Sequence, residues 1–331
     1  MQAVVIQEPG KIEVTEVPDP VPGSKDVIVR VAGCGICGTD LHILDGEFAP
    51  TLPVVPGHEF AGEVVAVGSE VPAGRVRVGD QVAVDPSLHC GECYYCRRGR
   101  GNLCENWAAI GVTTTGGAAE FAAAPFANCY LLPDGVSTAD AALIEPLSCA
   151  VRGFDVLPRA MASAYLIYGS GTMGLMMLEL AKRAGAESVS MVDLNPARLQ
   201  TAKRLGCTAA VTSADELDAP RGWDVVIDCT GAEAAIRDGL KRVGRGGTFL
   251  QFGVAAYDAR VAIEPYEIYR REITITGSMA VLHSFDRAGE LLAAGVLDPQ
   301  VFVSHRFPLA SYAEALDQFR AGVGRKILIE P

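Results

Sequence analysis

The first half of the chain holds two groups of residues whose side chains commonly bind metal ions. One group lies in a single loop with the spacing C-x2-C-x2-C-x7-C, and its members are Cys90, Cys93, Cys96 and Cys104. The other group is scattered, and its members are Cys37, His58, Glu59 and Glu145. A structural zinc ion takes four protein ligands, usually thiolates, whereas a catalytic zinc ion takes three mixed ligands and keeps one position open. The sequence therefore predicts one closed and one open zinc site, with two zinc ions per chain.

An iron–sulfur cluster and a set of disulfides are the alternatives for the four-cysteine loop. The usual bacterial iron–sulfur run has three residues before its last cysteine and a proline after it, whereas here seven residues precede Cys104 and Glu105 follows it. Disulfides are typical of secreted proteins. The N-terminus, MQAVVIQEPGK, lacks the basic start and apolar core of a signal peptide. We therefore expect a cytoplasmic protein with reduced thiols, in which the loop binds zinc.

Size and charge limit the kinds of partner. The chain has 331 residues, enough for two domains of ordinary size. Its formal net charge of -12 argues against a nucleic-acid partner, because binding to the phosphate backbone depends on clustered Lys and Arg. The most apolar stretch, 164–181, is too short and too often interrupted by glycine to cross a bilayer. We expect a small-molecule substrate, with neither nucleic acid nor a membrane as a partner.

The pattern of secondary structure changes near Pro158. Before it, short apolar or alternating runs separated by turn residues predict a mainly antiparallel β domain, with strands at 3–6, 27–32, 63–67 and 81–84. After it, predicted strands alternate with helices, which is typical of a doubly wound parallel sheet. The predicted strands of that sheet are 164–168, 188–193, 224–229, 248–252 and 272–276. The tail from about Met279 has helical patterns and a last strand at 326–329, and we expect part of it to return to the first domain. The predicted fold class is α/β.

A glycine-rich loop follows the first predicted strand of the second domain. Gly169, Gly171 and Gly174 form G-x-G-x-x-G between a strand and a helix, and Asp193 ends the next strand. Such glycines allow a tight turn, close approach of the backbone to a pyrophosphate and close helix packing, while the helix N-terminus attracts phosphate. Asp193 would accept hydrogen bonds from the adenosine ribose and would repel a 2′-phosphate. The loop predicts a nicotinamide dinucleotide site that favours NAD over NADP.

Alternatives exist for this site as well. Arg198 lies close to Asp193 in the sequence and could accommodate a 2′-phosphate, so NADP remains the less favoured alternative to NAD. The glycines could form a simple tight turn in a sheet without a nucleotide, and Asp193 could be a surface turn residue. The other residues expected to contact the cofactor are Thr172, Met173, Thr230 and Ser278.

In their order along the chain, these motifs resemble those of the zinc-dependent medium-chain alcohol dehydrogenases. The matching segments are GICGTDLH at 35–42, GHE at 57–59, the four-cysteine loop, GAAEF at 117–121 and the glycine-rich loop at 169–174. The resemblance covers essentially the whole chain. It implies a GroES-like catalytic domain at 1–147, to which 281–331 return, and a Rossmann domain at 148–280. It also implies that zinc and nicotinamide meet in the cleft between them.

Glu145 points to one branch of that family. It lies in the segment IEPLS at 144–148, where ordinary alcohol dehydrogenases have a cysteine, and this resembles the polyol and threonine dehydrogenases, among them sorbitol dehydrogenase. The resemblance implies that Cys37, His58 and Glu59 bind the catalytic zinc ion, with Glu145 bound directly or through water. Alternatively, either glutamate could only orient His58 or a bound water. Carboxylate oxygen suits a cation that also accepts hydroxyl oxygens, which favours a polyhydroxylated substrate.

Thr39 and His42 are the candidate proton carriers. Zinc would lower the pKa of the substrate hydroxyl, and a hydride would then pass to the nicotinamide ring. Thr39 could take the proton and pass it through the cofactor ribose to His42, because histidine as a residue type titrates near neutrality. In the alternative, His42 is a surface histidine and solvent accepts the proton.

The sequence as a whole favours an NAD- and zinc-dependent dehydrogenase of a polyol, sugar alcohol or cyclitol. An L-threonine or amino-alcohol dehydrogenase is the alternative, because the same Cys, His, Glu and Glu ligands serve both in the family. A non-catalytic nucleotide-binding protein is a remote third possibility. The resemblance to this branch also suggests a homotetramer or homodimer. The expected pocket walls are Phe48, Trp107, Ile110 and the segment 278–279.

Overall fold

The structure is a computed structural model, and the residues it describes are 1–47, 51–158 and 160–331. Phe48, expected in a pocket wall, lies outside the described residues. The chain forms two compact units, of which unit 1 comprises Met1–Ser148 and Ala280–Pro331, and unit 2 comprises Cys149–Met279. Among the described helices, none combines the length and the apolar composition needed to cross a bilayer.

The first segment of unit 1 consists mainly of β-strands. Its elements are β1 (Gln2–Glu8), β2 (Lys11–Glu16), β3 (Asp26–Gly35), α1 (Gly38–Leu44), β4 (Glu59–Val67), β5 (Gln81–Val84), β6 (Ser87–Leu88), β7 (Ala108–Ala109), β8 (Phe121–Pro125), β9 (Cys129–Leu131) and the start of α2 (Ile144–Asp155), which continues past Ser148 into unit 2. β3 pairs antiparallel with β4 over most of its length and with β8 over its first half. Consequently β3 is the central strand of this unit, and it leads directly into Cys37.

Unit 2 is a six-stranded sheet with helices between its strands. Its elements are β10 (Ala164–Tyr168), α3 (Thr172–Arg183), β11 (Ser188–Val192), α4 (Pro196–Arg204), β12 (Ala209–Val211), β13 (Trp223–Asp228), α5 (Glu233–Arg242), β14 (Val243–Gln251), α6 (Pro265–Arg271) and β15 (Thr274–Gly277). The strand order is β12-β11-β10-β13-β14-β15, and every neighbouring pair is parallel. The parallel sheet expected from the alternation of strands and helices is therefore confirmed.

Local sequence explains how these elements begin and end. Four of the five residues of β10 are buried, as expected for a strand covered on both faces of a parallel sheet. α4 begins with Pro196 after Asn195, whose side chain accepts a hydrogen bond from the Ala197 amide at 2.9 Å. Gly185, with φ +82°, follows the last turn of α3 and lets the chain leave the helix.

The C-terminal segment completes unit 1. Its elements are α7 (Phe285–Ala293), α8 (Pro299–Phe302), β16 (Val303–Pro308), α9 (Tyr312–Arg320) and β17 (Lys326–Glu330). β17 pairs antiparallel with the end of β3, where Leu328 faces Gly35 and Ile329 faces Cys34. Ile327, Ile329 and Tyr312 are buried in the same apolar core as the strands of the first segment. The last strand therefore lies against the residues that lead into Cys37.

Candidate metal centres and dinucleotide site

The four-cysteine loop brings its sulfur atoms together. The Sγ atoms of Cys90, Cys93, Cys96 and Cys104 lie within 4.8 Å of one another, and all four thiols are free. The Cys90–Cys104, Cys93–Cys104 and Cys90–Cys96 sulfur pairs are 3.5, 3.9 and 4.0 Å apart. Zinc–sulfur bonds of about 2.3 Å at tetrahedral angles place sulfur atoms roughly 3.8 Å apart, whereas a disulfide holds them about 2.05 Å apart. The loop therefore fits a closed zinc site and does not contain disulfides.

Backbone amides of the loop favour the thiolate form that binds metal. The Cys93 amide donates to Cys90 Sγ at 3.4 Å, and the Cys96 amide donates to Cys93 Sγ at 3.5 Å. The pKa of Cys93 is lowered to about 6, first because of the hydrogen bond from Cys96 and then because of a further amide at Glu105. A metal ion can therefore bind at this loop with little cost for deprotonating Cys93.

The second group assembles three different donors from separate elements. Cys37 precedes the first turn of α1, His58 lies just before β4, and Glu59 is the first residue of β4. One ligand atom from each of the three lies within 4.8 Å of the others. His58 and Glu59 are buried, while Cys37 is half-buried. One sulfur, one nitrogen and one oxygen donor are the mix found in open, catalytic zinc sites.

Two glycines make room for this group. A Cβ on Gly35 would lie 2.0 Å from Glu59 Oε2, so only glycine lets the Glu59 carboxylate sit against β3. Gly57 has φ +94°, and a Cβ there would lie 2.6 Å from the sulfur of Cys34. The Cys37 amide donates to Asp40 Oδ2 at 2.9 Å, which fixes the start of α1. The glycines of the two motifs around Cys37 and His58 thus have a steric role.

Lys326 is a residue of this site that the sequence did not indicate. Its Nζ donates to Glu59 Oε1 at 2.7 Å, to Glu59 Oε2 at 2.5 Å and to the Ile36 carbonyl at 3.0 Å. Lys326 is 3% exposed and Glu59 is 1% exposed. Burial lowers the pKa of Lys326, but the Glu59 carboxylate outweighs that effect and the pKa is raised. β17 therefore supplies the cation that compensates the buried Glu59.

Asp40 adds a second buried carboxylate beside His58. Asp40 Oδ1 is 3.9 Å from His58 Nδ1, and Asp40 is fully buried. Among the described residues, neither of these two atoms has a hydrogen-bond partner. Burial lowers the pKa of His58, yet its hydrogen bond with Cys37 and the nearby negative charges raise that pKa to about 10. Negative charge therefore dominates around His58, and the group suits a bound cation.

Glu145 lies in the first turn of α2 and is 8% exposed. In the described part of the chain, it is not among the ligand atoms within 4.8 Å of one another. Its charge nevertheless contributes to the raised pKa of His58. The structure therefore places Glu145 near the group of Cys37, His58 and Glu59 and outside its innermost set.

The candidate proton carriers both lie on α1. Thr39 Oγ1 is 3.8 Å from Cys37 Sγ, so its hydroxyl borders the metal-ligand group. His42 Nδ1 is 2.6 Å from Glu47 Oε2, and the His42 side chain is 30% exposed. Of the expected pocket walls, Ile110 is a core residue of unit 1 and Trp107 packs against that core.

The glycine-rich loop of unit 2 joins β10 to α3. Gly169 has φ +95°, which favours glycine. A Cβ on Gly174 would lie 1.8 Å from the Gly169 carbonyl oxygen, so the helix packs against the turn only with glycine there. Among the described residues, no atom lies within 4 Å of a Cβ built on Gly171, which precedes the first turn of α3. The loop therefore leaves open space at the helix N-terminus, where phosphate binds in such folds.

Asp193 is tied to this loop. Its Oδ2 accepts a hydrogen bond from the Ser170 amide at 2.7 Å, and its Oδ1 accepts one from the Asn195 amide at 2.8 Å. The other expected contact residues lie at starts of helices or just after strands: Thr172 and Met173 in the first turn of α3, Arg198 in the first turn of α4, Thr230 after β13 and Ser278 after β15. Thr230 Cγ2 would be 3.0 Å from a Cβ on Gly169. These positions all lie toward the carboxyl edge of the parallel sheet, where such folds bind ligands.

Comparison with known proteins agrees with this organisation. Residues 23–134 match the alcohol dehydrogenase GroES-like domain, and residues 172–294 match the zinc-binding dehydrogenase family. D-arabinitol dehydrogenase 1 of Uromyces fabae is 35% identical over 342 residues, covering 100% of this chain and 97% of the relative. L-threonine 3-dehydrogenase of Saccharopolyspora erythraea is 36% identical over 345 residues, covering 100% and 99%. A zinc-binding dehydrogenase from Sinorhizobium meliloti, solved with NADP bound, superposes with a TM-score of 0.94 at 34% identity, covering 100% and 99%.

Proposed function

The chain belongs to the zinc-dependent medium-chain alcohol dehydrogenases, in the branch of polyol and threonine dehydrogenases, and on this basis we propose that it oxidises a secondary hydroxyl of a polyol, sugar alcohol or cyclitol to the ketone. The predicted fold class, a GroES-like domain with a Rossmann domain, is confirmed by the same matches. The observation that carries the proposal is the group of Cys37, His58 and Glu59, whose donor atoms lie within 4.8 Å of one another.

We propose that each chain holds two zinc ions. Cys90, Cys93, Cys96 and Cys104 would bind the structural ion, because four thiolates saturate its coordination. Cys37, His58 and Glu59 would bind the catalytic ion, and Glu145 would reach it directly or through water. When bound, the catalytic ion supplies a Lewis acid that lowers the pKa of a substrate hydroxyl.

Side chains of the protein then orient the Glu59 carboxylate and carry away the proton of the substrate hydroxyl. Lys326 holds both oxygens of Glu59 and so fixes the direction of that carboxylate. Thr39, whose Oγ1 lies 3.8 Å from Cys37 Sγ, accepts the proton of the substrate hydroxyl and donates its own proton onward. His42, whose Nδ1 lies 2.6 Å from Glu47 Oε2, is the residue that delivers the proton to solvent. A nicotinamide cofactor, when bound, would supply the hydride acceptor.

NAD is the cofactor that we propose, with NADP less favoured. Support comes from the Asp193 carboxylate, which is held against the glycine-rich loop by the Ser170 amide at 2.7 Å. A carboxylate at this position repels a 2′-phosphate. Arg198 follows in α4 and keeps NADP as the alternative, as does the NADP bound in the Sinorhizobium meliloti relative.

L-threonine is the second candidate substrate, since an L-threonine 3-dehydrogenase is 36% identical over the whole chain. We favour a polyol because D-arabinitol dehydrogenase 1 is similar over the same length and because carboxylate oxygens at the metal suit hydroxyl oxygen ligands.

We propose that the protein forms a homotetramer or a homodimer and that it is located in the cytoplasm. β15 is an edge strand of the unit 2 sheet, and its Ile275 is 44% exposed. Natural proteins usually cover or pair such an edge. All ten cysteines are free thiols, which suits a reducing compartment. Sedimentation of the purified protein measures the assembly, and a monomer at micromolar concentration would contradict it.

A spectrophotometric panel tests the function. Zinc-replete protein is assayed for reduction of NAD and, separately, of NADP with pentitols, hexitols, cyclitols and L-threonine. We expect the highest kcat/KM with a polyol and NAD. A higher value with L-threonine would select the second candidate, and equal values with both cofactors would contradict the role of Asp193. No turnover with any alcohol would contradict the proposed activity.

A further inference from the structure

Asp228 is a buried carboxylate in unit 2 that neither the motifs nor the proposed chemistry accounts for. It is the last residue of β13, and its exposed fraction is 0%. The three residues that precede it in β13, Val225, Val226 and Ile227, are apolar, as expected in the middle of a parallel sheet. A carboxylate in such a place destabilises the fold unless hydrogen bonds compensate for its lost hydration. Its partners therefore indicate what it does.

Four donors surround the Asp228 carboxylate. Oδ1 accepts from the Thr230 amide at 3.1 Å and from the Thr230 hydroxyl at 2.6 Å. Oδ2 accepts from the Gly231 amide at 2.9 Å and from Gln251 Nε2 at 2.8 Å. An ionised carboxylate accepts about four hydrogen bonds and donates none, so these partners match that form. One side chain thus holds the segment after β13 and the end of β14.

The backbone of Asp228 binds the segment after β14 as well. Its carbonyl oxygen accepts from the Phe252 amide at 3.1 Å and from the Gly253 amide at 2.7 Å. The two segments are packed so closely that side chains do not fit between them. A Cβ on Gly231 would lie 2.0 Å from the Val254 carbonyl oxygen, and one on Gly253 would lie 2.5 Å from the Gly231 amide nitrogen.

This pair of segments lies at the topological switch point of the sheet. The chain moves outward from β10 to β11 and β12, and then returns to place β13 on the other side of β10. In doubly wound sheets, ligands bind in the crevice outside the carboxyl ends of the strands at that point. Asp228 faces Tyr168 in the register of β13 with β10, and Tyr168 directly precedes Gly169. Thr230, which Asp228 holds, borders Gly169, because Thr230 Cγ2 would lie 3.0 Å from a Cβ there.

We propose that Asp228 is a positioning residue for the dinucleotide. Its carboxylate fixes residues 229–231 and 251–253 in the shape that receives the cofactor beside the glycine-rich loop. Because Asp228 is fully buried, it acts through Thr230 and Gly231 and does not touch the cofactor. The inference rests on the proposed dinucleotide site and extends it to the two segments that the glycine motif does not include.

The substitution Asp228→Asn tests the proposal, because it keeps the size of the side chain and replaces one accepting oxygen by a donating NH2 group. That group would point at donors, either those of Thr230 or those of Gly231 and Gln251. We expect the Kd for NADH to rise by roughly 30-fold, the effect of losing charge-assisted hydrogen bonds that shape a site. In steady state, KM for NAD should rise while KM for the alcohol and kcat at saturating NAD stay within about twofold.

Asp224→Asn is the matched control. Asp224 lies at the other end of the same strand, where its Oδ2 accepts a hydrogen bond from the Ala164 amide at 2.8 Å. It is a strand aspartate with a backbone partner, away from the carboxyl edge, so its loss should leave the Kd for NADH unchanged. Gln251→Leu serves as a second variant, because it leaves the carboxylate and removes the Gln251 amide group, which donates to Asp228 Oδ2 at 2.8 Å and to the Gly253 carbonyl oxygen at 2.7 Å. Its Kd should rise by about 5-fold.

Fluorescence titration with NADH, together with thermal melts, separates the outcomes. If folded Asp228→Asn binds NADH as tightly as the unsubstituted protein, the inference is wrong and the dinucleotide site stands. A lower Tm and kcat together with equal rises in KM for NAD and KM for the alcohol would show that Asp228 has a structural role only. That result would also overturn the inference. If Asp228→Asn does not fold, Gln251→Leu decides by the same measurements. If the unsubstituted protein binds neither NADH nor NADPH, both the proposed function and this inference fail.

Discussion

Unit 1 contains two candidate metal-ligand groups that are built in different ways. The four-cysteine group takes all its donors from one loop, and its Cys90 is exposed to solvent. The group of Cys37, His58 and Glu59 takes its donors from the turn after β3, from the residue before β4 and from the first residue of β4, and its imidazole and carboxylate are buried. The first therefore depends on local chain geometry, whereas the second depends on how distant strands pair.

The surroundings of the two groups differ as well. Backbone amides of the loop donate to the sulfur atoms of Cys90, Cys93 and Cys104 and lower the pKa of Cys90 and Cys93, whereas burial raises the pKa of Cys96 to about 12. The second group is accompanied by the buried side chains of Asp40 and Lys326, which come from α1 and β17. A loop can hold a structural ion on its own, but an open site needs charges supplied by the whole domain to keep its donors in place. Substitutions should therefore have different consequences at the two groups.

The largest expected effect is loss of turnover in His58→Ala. Removing one of three donors leaves too few protein ligands for a catalytic ion, so kcat/KM should fall by at least about 1000-fold. Metal analysis should give one zinc ion per chain in place of two. His305→Ala, at a half-buried histidine of β16, is the control and should keep both zinc ions and full activity. Two zinc ions and normal turnover in His58→Ala would contradict the assignment of the open site.

The next effect concerns stability, in Lys326→Met. In protein from which the zinc ions have been removed, loss of the cation leaves Glu59 buried without a compensating charge, and breaking a buried pair costs about 3–5 kcal/mol of unfolding free energy. Urea denaturation measures this loss. The double variant Lys326→Met with Glu59→Gln should recover much of it, because the neutral amide does not need the cation. Lys11→Met, at a Lys–Glu pair whose lysine side chain is 60% exposed, should change stability by less than about 0.5 kcal/mol.

A result in which the single and double Lys326 variants are equally unstable would show that packing around Lys326, and not its charge, matters for this site.

The same difference between local and distant construction explains what the sequence could predict. Spacing alone identifies the four-cysteine loop, because its donors are neighbours in the chain. The glycine-rich loop with Asp193 is also local to one β-α-β unit, and the short, mainly apolar strands β5 and β10 have the bounds expected from their patterns. Lys326 could not be found in this way, because 267 positions separate it from Glu59.

Other elements escaped prediction for a related reason. β12 has only three residues, and β16 carries polar residues such as Ser304 and Arg306 in a six-residue strand, so neither has a clear alternating pattern. Their formation depends on pairing with β11 and β17. One signal for Lys326 did exist, since a lysine directly precedes the apolar run ILI in the terminal strand, KILIE. Asp228 shows the same signal at the end of β13, WDVVID.

A smaller effect is expected at the edge of the open site, in His42→Ala. If His42 carries the proton to solvent, alcohol oxidation should slow by about 10-fold below pH 7, where hydroxide is scarce. At higher pH the difference should diminish, because solvent accepts the proton directly. The measurement is kcat/KM against pH for both proteins with the same alcohol. Superimposable pH profiles would remove His42 from the relay and leave Thr39 facing solvent.

The smallest effect on turnover is expected from Cys93→Ser, although it removes a zinc ion. The hydrogen bonds of Cys93 join it to other residues of the loop. His283 Nε2, which lies 3.1 Å from the Gly99 carbonyl oxygen, links the loop to the C-terminal segment of unit 1. Arg97, Arg98 and Arg100 are already exposed to solvent, so loss of the ion should speed trypsin cleavage after them by loosening the backbone of the loop, while kcat/KM falls by only about 3-fold. Cys207→Ser, at a cysteine of unit 2 outside both groups, should change neither zinc content nor cleavage. If Cys93→Ser abolished turnover as His58→Ala does, the loop would support the open site directly, and the separation of local from distant construction would not hold.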